Sequence, residues 1–117
     1  MREFTFPNGE VITLRPFSPQ VQRLAVEQLA REGETLRQDA TVEQIQLWGE
    51  EQVRQVIVSY RRSDGTEPLK GLKPAQARRV IRETPGLESV LLVAKQMYEQ
   101  AAAARKIDLG NFELPED

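Results

Sequence analysis

The spacing of apolar residues changes several times along this chain, and each change marks an element. Phe4-Thr5-Phe6 and Val11-Ile12-Thr13-Leu14 alternate around Pro7-Asn8-Gly9-Glu10. Alternation is the strand period, and Gly9 supplies the positive φ that a tight turn requires, so residues 1–15 are expected to form a β-hairpin. Phe4 and Phe6 share a face, and Ile12 and Leu14 are expected to join them. A lone hairpin is marginal in water, so helices must cover that face.

The period then becomes helical. Ser18-Pro19 signals a helix start, with Ser18 as N-cap and Pro19 in the first turn. Val21, Leu24, Ala25 and Leu29 make its stripe, and Gly33 is expected to end it. A polar connection containing Leu36 follows. The longest pattern runs from Thr41 to Arg62, opened by a capping box of Thr41 and Gln44. Val42, Ile45, Gly49, Val53, Val56, Ile57 and Tyr60 fall on one face. Leu47 and Val58 fall opposite, with Trp48 between. A helix apolar on more than one side is central to its domain or lies at an interface. Gly49 costs about 1 kcal/mol against Ala in a helix interior, so a neighbouring element is expected to approach closely there. Val56-Ile57-Val58 is β-branched and Tyr60 follows, so the end of this stretch also fits a strand, and periodicity does not separate the two.

Ser63-Asp64-Gly65 is a turn, and a loop holding Pro68 and Gly71 leads to a helix start at Pro74. Ala77, Val80 and Ile81 are its expected buried residues, with Arg78, Arg79 and Arg82 off that stripe. Pro85-Gly86 breaks the chain again. Leu87, Val90, Leu91, Ala94, Tyr98 and Ala101 then form the cleanest stripe, widened by Val93 and Met97. Leu92 falls among Glu88, Lys95 and Glu99 and is expected to be exposed. The pattern gives a mainly α, small single-domain helical protein with a short N-terminal hairpin, spanning residues 1–106. Residues 107–117 form an acidic tail with four large apolar residues, Ile107, Leu109, Phe112 and Leu114. A purely solvating tail does not need them. It either folds back on its own domain or docks on another chain.

Composition removes most catalytic chemistry. The chain of 117 residues has no Cys and no His. A disulfide framework, a thiolate metal site and the commonest general base are thereby absent. No Gly-rich phosphate loop appears, and the serines lack a His to activate them. The reading is a non-enzyme with no cofactor. The N-terminus lacks a basic region followed by an apolar run, and no apolar stretch approaches the ~20 residues of a membrane helix, so a cytoplasmic protein without membrane contact is expected.

Charge is unevenly spread. Arg61 to Arg82 holds seven basic and two acidic residues, a balance of +5, which leaves −7 for the remainder of a chain whose net charge is −2. A basic middle between acidic ends suits nucleic acid, or the acidic end of a neighbouring copy, or simply solvated faces. As a helix-turn-helix, the last helix would present Glu88, Ser89 and Leu92, a poor set for base edges, so nucleic acid is disfavoured.

From Val53 to Leu91 the chain resembles the tail assembly chaperones of long-tailed, siphovirus-type bacteriophages. The likeness lies in an arrangement: a β-like start, an amphipathic helix ending in Val56-Ile57-Val58-Ser59-Tyr60, the Asp64-Gly65 turn, Pro68-Leu69, a short Pro-started helix, and a longer apolar helix from Leu87. The opening Phe4-Thr5-Phe6-Pro7-Asn8-Gly9-Glu10-Val11 also resembles the starts of phage tail accessory proteins. The resemblance implies a non-enzymatic protein of the bacterial host cytoplasm that coats the tape measure protein, keeps it soluble and helps recruit tail tube subunits. It also implies a second form extended by ribosomal frameshifting. No functional residue is carried over from the family. A chaperone of an apolar helix needs apolar residues outside its own core. Leu47, Trp48, Val58, Leu92, Ile107, Leu109, Phe112 and Leu114 are the partner-binding candidates. Arg78, Arg79 and Arg82 are the charge-patch candidates for self-association into a weak homo-oligomer. The alternatives are a structural phage tail or head-completion protein and, third, a DNA-binding regulator.

Overall fold

A computed structural model describes residues 1–34 and 38–113, with side chains described for 1–34 and 38–104. Strands β1 (Arg2–Thr5) and β2 (Val11–Leu14) open the chain. Helices α1 (Pro19–Arg31) and α2 (Val42–Val56) follow, then strand β3 (Ile57–Arg61) and helix α3 (Pro74–Glu83). A 3-10 turn (Leu87–Ser89) leads into α4 (Val90–Glu113). The protein is mainly helical, but its β-structure exceeds the expected hairpin: a three-stranded antiparallel sheet in the order β1-β2-β3. Helices α1 and α2 are therefore inserted between two paired strands. Among the described residues no helix is long and apolar enough to cross a membrane.

The hairpin register pairs Phe4 with Ile12 and Arg2 with Leu14. Its turn is closed by Gly9 N donating to Phe6 O at 2.9 Å and Phe6 N donating to Glu10 O at 2.8 Å, with Gly9 at φ 90°. A β-carbon on Gly9 would lie 3.2 Å from Ser63 Cβ, so this turn also packs against the turn after β3. Phe6 lies in the turn and is exposed, not on the buried face with Phe4 as its alternation suggests.

The long helical pattern ends at Val56, short of Arg62. Ile57 turns extended (φ −80°, ψ 115°), and β3 pairs with the free edge of β2. β-Branched and aromatic side chains fit a pleated, half-buried surface, and pairing here gives the hairpin a third strand. The register runs Ile12 to Tyr60, Thr13 to Ser59 and then Leu14 to Ile57, skipping Val58. That bulge puts Ile57 and Tyr60, three residues apart, on the core side together and leaves Val58 outside the ladder.

The helix starts follow the sequence. Ser18 Oγ accepts from Val21 N at 3.3 Å, and Thr41 and Gln44 exchange both bonds of the capping box, at 2.9 and 3.2 Å. One core joins Ile12, Leu14 and Tyr60 of the sheet to Val21, Val53, Val56, Ile81, Leu87, Val90 and Ala94 of the helices. Phe17, which no pattern singled out, belongs to it. Phe17 N donates to Ala94 O at 3.0 Å, and Lys95 Nζ lies 5.4 Å from the Phe17 ring centre. Val80 and Leu91 are only half-buried, and Ala101 is exposed.

Candidate interaction surfaces

The outer half of α2 departs from its expected burial. Val53 and Val56 are core, but Val42 is 77% and Ile45 56% exposed. The positions buried in their place are Glu50, Glu51 and Gln52. The apolar stripe thus starts in the core at Val53 and runs out along α2 through Gly49 to Ile45 and Val42, uncovered. Gly49 does not sit under a close neighbour. A β-carbon there would have no heavy atom within 4 Å. The glycine instead lines a groove of about 360 Å³ bounded by Gln46, Glu50 and Val53 of α2, Ile81 and Arg82 of α3, and Glu88 and Leu91. Leu92, the next residue of α4, is 61% exposed and does not line this groove.

Two of the buried polar residues of α2, Glu50 and Glu51, belong to a charge network. Glu51 is fully buried and accepts four hydrogen bonds: 2.8 and 2.6 Å from Arg54, 2.8 Å from Gln55 Nε2 and 2.7 Å from Arg78 Nη1. Arg78, itself buried, also holds the Glu32 carboxylate at the end of α1. Arg82 binds Glu50 through two bonds at 2.8 and 2.9 Å. Three carboxylates face three guanidiniums, so the network closes without net charge. It ties α1, α2 and α3 together, with Arg78 as the link to both other helices. The hydrogen bonds from Arg78 hold the Glu32 carboxyl below the usual carboxylate range against the opposing effect of burial.

This arrangement changes the charge-patch reading. Arg78 is not a surface charge; it is buried beside Ala77 and Ile81 and spent on Glu51 and Glu32. Arg82 is engaged with Glu50, and Arg79 with Glu83 at 3.1 Å on the surface. The three arginines do not make one free patch. The expected off-stripe placement of Arg78 fails because it follows Ala77 directly and precedes Ile81 by three residues, close enough to that stripe to be carried inward. Glu51 carried a local signal of its own, with Arg54 and Gln55 at the i+3 and i+4 spacings of a pair set, but that spacing does not point to Arg78.

The apolar candidates are dispersed. Leu47 and Trp48 are half-buried, and Trp48 Nε1 is buried without a hydrogen-bond partner among the described residues. Val58 is 39% exposed at the β3 bulge, away from the α2 stripe. It lines a second groove, of about 310 Å³, between β3 and the loop before α3. Ile107, Leu109 and Phe112 lie within the span of α4, with side chains outside the described residues, as is the whole of Leu114. Val42 and Ile45, which the pattern put on the apolar face of a helix either central to its domain or at an interface, are among the exposed apolar residues outside the candidate set.

A polar contact fixes the hairpin tip. Tyr60 OH donates to Glu10 Oε2 at 2.6 Å, and Asn8 Nδ2 donates to Glu10 Oε1 at 3.0 Å. These bonds, Tyr60's above all, hold the Glu10 carboxyl below its usual range. Burial first, and then the bond to Glu10, push the Tyr60 hydroxyl up.

Comparison of the chain with protein-family models, curated proteins and solved structures finds no match.

Proposed function

We propose that the protein is a non-enzymatic phage tail assembly chaperone. In this reading it binds the tape measure protein, a long helical client, keeps it soluble and helps bring tail tube subunits to it in the bacterial host cytoplasm. The observation that carries the reading is the apolar stripe that leaves the core along α2, from Val53 past Gly49 to Ile45 and Val42. A client helix laid along it would find a bare glycine floor at Gly49, Leu91 on one side, and the charged residues Glu50, Arg82 and Glu88 at the rim. That is the helix-in-groove mode of recognition, in which apolar anchors at helical spacing enter a groove and polar groups set orientation. Such a protein needs no catalytic group, and the carboxylates of Glu32, Glu50 and Glu51 are each matched by a guanidinium of Arg54, Arg78 or Arg82.

Co-expression tests the reading. The tape measure protein should stay soluble with this chain and precipitate without it, and the two should co-purify. Ile45→Glu with Leu92→Glu should abolish capture while leaving the thermal unfolding curve nearly unchanged. A tape measure protein equally insoluble in both cultures would overturn the proposal. Recovery of the chain in purified particles, without any effect on client solubility, would favour a structural tail or head-completion protein.

A further inference from the structure

The hairpin tip carries chemistry that neither the core nor the client groove uses. Asn8 and Gly9 are adjacent in the turn, and both are exposed. Glycine places no side chain beside its own main-chain nitrogen, so that nitrogen can approach the carboxamide carbon of a preceding Asn. Asn111, the other asparagine of the chain, precedes Phe112, a bulky follower that hinders the same approach. Asp64 also precedes a glycine, but Thr66 donates to Asp64 Oδ1 from its nitrogen at 2.9 Å and from its hydroxyl at 2.6 Å. Those bonds hold the Asp64 carboxyl below its usual range, and an ionised carboxylate is a poor target for a nitrogen nucleophile. Asn8 offers a neutral carboxamide with ammonia as its leaving group.

The folded turn restrains this reaction without covering it. Gly9 N donates to Phe6 O at 2.9 Å, and Asn8 Oδ1 accepts from Glu10 N at 3.0 Å. Asn8 Nδ2 donates to Glu10 Oε1 at 3.0 Å, while Glu10 Oε2 accepts from Tyr60 OH at 2.6 Å. Attack requires the bonds of Asn8 and Gly9 to open. The tip can open locally, because β1 is an edge strand on which only Phe4 is partly buried.

We propose that Asn8 is a site of spontaneous deamidation through a cyclic imide with the Gly9 nitrogen, restrained by the Tyr60–Glu10 contact, and that the carboxylate left at position 8 loosens the hairpin tip from β3. The Gly9 nitrogen gives its proton to solvent and bonds to Asn8 Cγ, the Cγ–Nδ2 bond breaks, and ammonia leaves. Water then opens the imide at either carbonyl, to aspartate or to isoaspartate. In sum, the carboxamide and one water become a carboxylate and an ammonium ion. The donor to Glu10 Oε1 is thereby replaced by a like charge, which disfavours the ionised Glu10 that accepts from Tyr60. Isoaspartate also adds a carbon to the main chain inside a hydrogen-bonded turn. The site stands independently of the client proposal, because α2 takes no part.

Incubation of the full chain at neutral pH, followed by mass analysis of its fragments, tests the proposal. The fragment with Asn8 should gain the mass difference between water and ammonia, with isoaspartate exceeding aspartate, and the fragment with Asn111 should lag behind. Tyr60→Phe should speed the conversion by about tenfold, the order by which one lost hydrogen bond to a charged group shifts an opening equilibrium. Asn8→Asp should lower the thermal midpoint, and adding Glu10→Gln to that chain should lower it by less than the sum of the two, because the like-charge pair is gone. An Asn8 that stays intact in the folded chain, while the urea-unfolded chain converts completely, would overturn the proposal. Conversion to aspartate alone would overturn the imide route, and an unchanged rate in Tyr60→Phe would overturn the restraint. An Asn8→Asp chain with an unchanged midpoint would overturn the effect on the hairpin.

Discussion

Arg78 and Glu51, 27 residues apart in sequence, meet at 2.7 Å with both side chains withdrawn from water. A buried guanidinium–carboxylate pair gives little net stability over apolar residues of the same volume, but removing one partner strands the other's charge. Arg78→Ala would leave Glu51 with Arg54 and Gln55 and leave Glu32 without its cation. The expected loss is about 3–5 kcal/mol in chemical denaturation. Arg79→Ala, at an exposed pair with Glu83, should change stability by about 0.5 kcal/mol or less. Equal effects of the two substitutions would show that Arg78 is not the link between the helices.

The Tyr60 and Glu10 contact joins the hairpin tip to β3 across fifty residues of chain. Tyr60→Phe keeps the buried ring and deletes only the donor, so it should cost about 1–2 kcal/mol, the range of a hydrogen bond to a charged acceptor near the surface. Glu10→Gln should cost no more, and the double variant less than the sum of the two. A double-mutant cycle by urea denaturation measures the coupling. Strict additivity would mean that the bond contributes nothing to holding the hairpin on the sheet.

Local chemistry was the most legible part of this fold. The capping residues Ser18 and Thr41, the Gly9 turn, and the core positions Ile12, Leu14, Val21, Ile81 and Val90 are all as the pattern reads them. The end of α2 was ambiguous because Val56-Ile57-Val58 satisfies both periods, and only the free edge of β2 decides for strand. The outer stripe of α2 misled for a different reason. Val42 and Ile45 have core-like spacing, but no element reaches over them, and a helical period records only that a face is apolar, not what covers it. Arg78 was the least legible. Its side chain is carried inward by Glu51 and Glu32, two carboxylates from distant helices that no local pattern connects to it.

Acid should loosen the helix junction and the hairpin together. The folded pKa of Glu32 is depressed by its hydrogen bonds to Arg78, and that of Glu10 by its bonds to Tyr60 and then Asn8. A depressed carboxyl contributes stability that is present above the unfolded pKa and is lost as pH falls through the folded one. Denaturation midpoints should therefore fall progressively on acidification below about pH 5. Tyr60 acts in the opposite direction: its raised folded pKa gives a contribution present below about pH 10 and lost as the pH climbs through the folded value. Glu32→Gln should flatten part of the acid limb and leave the alkaline one alone. An acid limb of unchanged slope in that variant would assign the pH dependence to other carboxylates.

Gly49→Ala separates the fold from the groove. The glycine has an ordinary helical backbone, with no positive φ, and an added β-carbon would meet nothing within 4 Å. In a helix interior the exchange of Gly for Ala is worth about 1 kcal/mol in favour of folding. The variant should therefore raise the denaturation midpoint. A methyl group at this position also rises from the floor of the groove between Val53 and Leu91, where a client helix would otherwise approach the bare backbone. On the proposed function, client capture should weaken although the protein has become more stable, and Gly49→Leu should weaken it further. A stability loss would mean that an element closes over Gly49 after all. Gains in stability accompanied by undiminished capture by both variants would move the client off this groove and leave exposed Leu92 as its remaining anchor on α4.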